Sequence, residues 1–144
     1  MIQRPQSLLL VLVTILHILL FFIPVFVWSA PNLGAGYATL NILDHTLFST
    51  INVLIILFNI FIIFQFKNRK RQRICTYILT VIIILDILLY SNFVARFTIA
   101  NDYVLIPARS YGMFGQLLSL ILCFFAIKRI KKDDDLVKSI DRIR

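Results

Sequence analysis

A chain of 144 residues that is 60% hydrophobic and 15% charged, with a mean hydropathy of +0.89, is too apolar for a soluble domain, where about half the residues are apolar and about a quarter charged. One domain of this size cannot hide so much apolar surface from water, which leaves lipid as the solvent. The net charge of +8 does not point to nucleic acid: the basic residues flank apolar runs, and no soluble domain remains on which to build a binding surface.

Those basic residues read instead as topology signals and contacts to anionic lipid heads. The two cysteines, Cys75 and Cys123, form no zinc-like pair and are too few for a disulfide framework. They read as reduced, lipid-buried thiols. No metal or other cofactor is expected.

In chain order, residues 8–28 are uncharged and long enough for a spanning helix, which needs about 20 residues. The run is too long for the apolar region of a cleaved signal peptide, so it predicts an anchor that stays. Pro24 is expected to kink or end the helix, and Trp28 to sit in the far interfacial aromatic belt. Residues 29–45 hold Pro31, Gly34 and Gly36 and no Lys or Arg, which predicts an exterior loop. The second span is 46–66, with Asn52 and Asn59 seven residues apart on one face.

Residues 67–73, Lys-Asn-Arg-Lys-Arg-Gln-Arg, form the densest charge cluster and predict a cytoplasmic loop. The third span is 74–95, with Asp86 near its middle. The fourth is about 108–127, opening near Gly112 and Gly115, which lie on one face and suit the close approach of a neighbouring helix. The tail, 128–144, contains an amphipathic segment from Asp134 onward, with Leu136, Val137, Ile140 and Ile143 on one face. It predicts a short cytoplasmic helix, lying on the membrane or projecting from it.

With the N-terminus, the 67–73 loop and the tail on one side, thirteen of the fifteen Lys and Arg residues share that side. Arg96 and Arg109 alone face the other. This asymmetry predicts cytoplasmic termini. The expected fold is therefore all-α and integral to the membrane: one domain, a four-transmembrane-helix antiparallel bundle with a short C-terminal amphipathic helix.

Ionisable groups at membrane depth are functional candidates. His17 and Asp86 fall within about 3 Å of the midplane of their predicted spans, and Asn59 and Gln116 lie near it. Each span thus brings one polar side chain to a central layer. A proton- or ion-handling site would pair Asp86 with His17. The plainer alternative is a set of hydrogen bonds that locks helix to helix, since one acid per chain is a thin basis for a transporter. Enzyme signatures are missing: the chain has no Glu, hence no His-Glu-x-x-His zinc motif, and it has no nucleophile elbow or phosphate loop. The protein is expected not to be an enzyme.

The second group of candidates lies at the cytoplasmic face, as contacts to a partner protein or to lipid heads. It comprises Lys67, Arg69, Lys70, Arg71 and Arg73 in the basic cluster, and Lys131, Lys132, Asp133, Asp134, Leu136, Val137, Asp141, Arg142 and Arg144 in the tail.

The two ends carry the most specific residue order. They are Met1-Ile2-Gln3-Arg4-x-Gln6 at the start, and Ile130-Lys131-Lys132-Asp133-Asp134 followed by Leu136-Val137-Lys138-Ser139-x-Asp141-Arg142-x-Arg144 at the finish. In these the chain resembles a family of small four-span membrane proteins of unknown function from the Bacteroidota. Asp134 stands where that family has Glu. The resemblance implies a bacterial inner membrane location and no assigned activity. From the residues, two functions compete: an accessory or scaffolding subunit docking a partner through the tail, as a hetero- or homo-oligomer, and a small proton-linked permease using the polar layer.

Overall fold

The computed structural model describes residues 5–29, 37–66, 68–101, 104–105 and 111–141. Four helices dominate: α1 (Pro5–Leu19), α2 (Thr46–Phe64), α3 (Arg69–Asn101) and α4 (Tyr111–Asp141). Three short strands, β1 (Phe26–Ser29), β2 (Tyr37–Leu40) and β3 (Val104–Leu105), form a sheet in the order β2-β1-β3. Stretches in α2, α3 and α4 are each long and apolar enough to cross a membrane, while the apolar part of α1, Gln6–Leu19, is shorter.

The expected helix over 8–28 is corrected. α1 stops at Leu19, and its last turn tightens: Leu20 N–H still reaches the Leu16 carbonyl at 3.1 Å, but Phe21 and Phe22 bond three residues back, to Ile18 and Leu19. Pro24 disfavours helical backbone at the residue before it and has no N–H to continue the ladder. The chain then runs extended as β1, antiparallel to β2 with Phe26 opposite Leu40, and to β3 with Trp28 opposite Leu105. The predicted exterior loop of 29–45 thus supplies β2, and the connection between α3 and α4 supplies β3. Val25 N–H extends the pairing to the Leu40 carbonyl at 2.9 Å. The Trp28 side chain lies outside the described residues.

The basic cluster is corrected as well. Only a short turn separates α2 from α3, and Arg69 onward is helical. Asn68 starts that helix: its Oδ1 accepts from Arg71 N–H at 3.2 Å and its carbonyl from Gln72 N–H at 2.9 Å, the pattern of an N-terminal cap. The separate tail helix is corrected too, since α4 is continuous to Asp141. Neither Gly nor Pro occurs after Gly115, so nothing breaks the helix where the apolar run ends.

Helix α1 packs on α2 and α4, and α3 packs on α2 and α4. Neighbours run antiparallel. Gln6 near the start of α1 meets Asp133 near the end of α4, and Gly112 at the start of α4 bonds the Pro24 carbonyl beyond the end of α1. Two apolar clusters fill the interior. One, near the sheet, includes Leu20, Val25, Phe26, Phe48 and Tyr90, with Phe48 and Tyr90 stacked at 3.9 Å. The other includes Leu10, Val13, Ile55, Ile62, Leu79, Ile83 and Cys123.

The outward faces are apolar: Leu54, Leu57 and Phe61 on α2, Val81, Leu85 and Leu88 on α3, and Leu117, Ile121 and Phe124 on α4 are all exposed. Gln6, Gln72, Thr76, Thr80, Asp86, Gln116 and Ser119 are meanwhile buried. Such a surface exceeds the apolar patches a water-soluble monomer tolerates, and polar-in, apolar-out is the distribution lipid selects.

Candidate functional site

Two polar assemblies stand out. The first divides the apolar clusters. Along each helix one buried polar residue separates a member of one cluster from a member of the other: His17 between Val13 and Leu20, Asn52 between Phe48 and Ile55, Asp86 between Ile83 and Tyr90, and Gln116 between Met113 and Leu120. His17, Asn52, Asp86 and Gln116 are each no more than 2% exposed.

Within this layer the partners differ from those expected. His17 pairs with Asn52, not Asp86. Asn52 Nδ2 donates to the His17 carbonyl at 3.0 Å, which leaves Asn52 Oδ1 to accept from His17 Nδ1 at 2.9 Å. Asp86 pairs with Gln116, whose Nε2 donates to Asp86 Oδ2 at 3.2 Å. The α1–α2 pair and the α3–α4 pair are separate hydrogen-bonded units. Three buried atoms here have no partner among the described residues: His17 Nε2, Asp86 Oδ1 and the Tyr90 hydroxyl.

Asn59 lies deeper, between Ile55 and Ile62 of the second cluster. Its Nδ2 spends both hydrogens on α1, on the Leu10 carbonyl and Thr14 Oγ1, each at 2.9 Å. Asn52 is thus the α2 member of the layer. The sequence signal was present, since Asn52 and Asn59 share a face, but the choice between them depends on where α1 meets that face.

The second assembly is a clasp at the opposite end from the sheet. Arg69 Nε lies 3.3 Å from Asp133 Oδ2, and its Nη1 donates to the Asp133 carbonyl at 2.9 Å. Arg73 Nη1 lies 3.4 Å from Asp134 Oδ2, and Gln6 Nε2 reaches Asp133 Oδ2 at 3.5 Å. Beneath it the Gln72 side chain donates to the Ile62 carbonyl at 3.3 Å, and Thr76 and Thr80 bond back along α3. Arg69, in the first turn of α3, opposes that helix's dipole, and its pairing with Asp133 offsets this.

Of the remaining candidates, Lys70, Arg71, Lys131, Lys132 and Leu136 are exposed. Lys67, Arg142 and Arg144 lie outside the described residues, as do the side chains of Val137 and Asp141, whose backbone continues α4. An open groove of about 450 Å³ runs along the outer face of α4, lined by Lys128, Lys131, Lys132, Asp135 and Leu136. Gly112 and Gly115 receive the protein's own chain. A Cβ on Gly112 would stand 2.6 Å from Val25 Cα, and one on Gly115 would meet Leu20 Cδ2 at 3.4 Å.

The arrangement runs through both ends of the chain, and a comparison with protein families matches that extent: residues 2–143 fit the model described as domain of unknown function (DUF4293). The chain belongs to the DUF4293 family. No curated protein and no solved structure matches it. Membership of DUF4293 brings no reaction, substrate or partner, so any function for this chain rests on its own residues.

Proposed function

We propose that this DUF4293 protein is a non-enzymatic, four-span protein of a bacterial inner membrane with both termini cytoplasmic. In this reading it is an accessory or scaffolding subunit that docks a partner through the end of α4. The fourth crossing is α1 continued by β1. Its fifteen helical residues cover about 22 Å, short of a hydrocarbon core of about 30 Å, so in this reading the turn after Leu19 and β1 complete the crossing. The thirteen-to-two distribution of Lys and Arg supports the orientation.

The observation that carries the docking role is the projection of α4. Gln6 and Arg69, in the first turns of α1 and α3, both reach Asp133, so the neighbouring helices begin at that level. α4 continues to Asp141, about 12 Å further at 1.5 Å per residue. Leu136, Val137 and Ile140 fall on one face of this extension, a pattern suited to a helix or groove on another protein. Asp133 and Asp134 are engaged by Arg69 and Arg73, so the docking surface is the segment beyond them.

Gentle extraction from native membranes, with sizing and mass spectrometry, is expected to return a stoichiometric companion that is lost when the chain is truncated after Asp135. A companion retained by the truncated chain, or a lone monomer together with unchanged growth of the truncation strain, overturns the docking role.

One observation favours a second reading, a small proton-linked permease: Asp86 Oδ1, His17 Nε2 and the Tyr90 hydroxyl are buried without partners among the described residues. Proton flux into vesicles carrying the protein, abolished by Asp86→Asn, supports it. Flux equal to that of empty vesicles leaves the polar layer a purely structural role.

A further inference from the structure

On α4 the apolar outer face and the lysine groove are one continuous stripe. Leu117, Ile121, Phe124, Lys128, Lys131 and Asp135 succeed one another at steps of four and three residues, which keeps them on one side of a helix. The upper half is apolar and exposed, with Leu117, Ile121 and Phe124 between 41% and 49% accessible. The lower half is the groove of about 450 Å³, where Lys132 flanks Lys128. The change from apolar to basic occurs between Ile127 and Lys128, at the end of the apolar run. Asp133 and Asp134 face α3, in the clasp with Arg69 and Arg73, and do not line the groove. Among the described residues the groove's lining sets three lysines against one acid, Asp135.

An amphiphile with an anionic head matches this stripe along its length. We propose that the groove binds the phosphate headgroup of an anionic phospholipid, whose acyl chains lie along Leu117, Ile121 and Phe124. Leu136 supplies an apolar wall at the groove's far end. The lysines grip the phosphate as mobile point charges. The proposal rests on the membrane reading above but not on partner docking: a chain truncated after Leu136 keeps every lining residue.

The test uses the full-length protein in detergent micelles, titrated with phosphatidylglycerol or phosphatidylcholine and read by native mass spectrometry. Phosphatidylglycerol is expected to remain bound in preference to phosphatidylcholine. Replacing all three lysines with Gln is expected to weaken it by on the order of a hundredfold, from roughly a factor of five per lysine at an anionic surface. The matching triple Arg variant keeps the preference. Lys70→Gln with Arg71→Gln, which removes two exposed charges from the same end but outside the groove, also keeps it. The proposal is overturned by equal retention of the two lipids, by equal loss in the Lys70/Arg71 variant, or by displacement with inorganic phosphate, which would mark a site for the free ion. Lys128→Gln alone, the mildest change, still lowers phosphatidylglycerol retention; no effect there and none in the triple variant also overturns it.

Discussion

If the clasp joins α3 to α4 as described, its two arginines will not be equivalent. Among the described residues Arg69 makes two contacts, one to the Asp133 carboxylate at 3.3 Å and one to the Asp133 carbonyl at 2.9 Å, whereas Arg73 makes one, to Asp134 at 3.4 Å. The side chains of these pairs are 17–32% exposed. Each ion pair therefore belongs near the upper end of surface values, about 0.5–1 kcal/mol. A charged hydrogen bond to a carbonyl adds about 1.5 kcal/mol. Arg69→Ala is thus expected to cost about 2 kcal/mol, but Asp133→Ala only about 1, because alanine keeps the carbonyl. Arg73→Ala and Asp134→Ala are each expected to cost about 1 kcal/mol. Reversible unfolding in mixed micelles measures all four variants and the two double-mutant cycles. Coupling of about 0.5–1 kcal/mol per cycle is expected, shrinking in 1 M salt, where the screening length falls to about 3 Å. The exchange Arg73→Asp with Asp134→Arg should recover most of what either reversal loses. Coupling below about 0.2 kcal/mol in both cycles would refute the clasp and return Asp133 and Asp134 to the surface available to a partner.

Gly112→Ala is expected to destabilise by about 1–3 kcal/mol, since its Cβ would meet the Val25 and Pro24 backbone, which has no rotamer to change. This outweighs the gain of about 1 kcal/mol in helix propensity. Gly115→Ala, facing only the flexible end of Leu20 at 3.4 Å, should be neutral or stabilising, and paired thermal melts decide both. Asn52→Leu strips the His17 ring and carbonyl of their partner and should cost about 1–3 kcal/mol. Asn92→Leu, at an exposed position bonded only to its own helix, should stay within about 0.5 kcal/mol. Cys123, 0% exposed, should react with a membrane-permeant maleimide only after denaturation, and labelling of the native protein at the denatured rate would contradict its burial.

The helices were legible because apolar runs of spanning length admit few other structures, and the resemblance at the two ends agrees with a family match over nearly the whole chain. The sheet was not legible. Phe26-Val27-Trp28-Ser29 continues the apolar run of α1 without a change of composition, and hydropathy alone cannot tell a buried strand from a buried helix. Pro24 carried the signal, but the helix ends before it, at Leu19, where the chain turns to bring Val25 against Gly112. The continuity of α4 was readable from the absence of Gly and Pro beyond Gly115, yet a sharp change from apolar to charged invites a boundary there. The clasp required the register between α3 and α4, which no single helix contains. In hindsight helical phase separates the three aspartates: Asp133 and Asp134 turn toward α3 while Asp135 stays with the lysines.

The hydrogen bonds also divide the polar layer into parts with different prospects. A buried polar group that exists to hold helices together is expected to use its bonding capacity, because an unmade bond in a lipid-facing protein has no water to replace it. Asn52 meets that expectation with two bonds to His17, and Asn59 nearly does with two to α1. Asp86 does not. It takes one bond from Gln116 on Oδ2, while its Oδ1, and the Tyr90 hydroxyl one turn along the same helix, have none among the described residues. Leucine at position 86 would spare the protein the burial of a carboxylate, so the acid is there at a cost that one 3.2 Å bond does not obviously offset. By this measure Asn52 is a packing member of the layer, while Asp86, with Tyr90 beside it, and His17, whose Nε2 is likewise unpartnered among the described residues, are the members with a prospect beyond packing. Comparing Asp86→Asn with Asp86→Leu separates the two possibilities. A structural acid is replaced by Asn with little loss and by Leu with a change in stability alone, whereas a functional acid loses its activity in both while the protein remains folded.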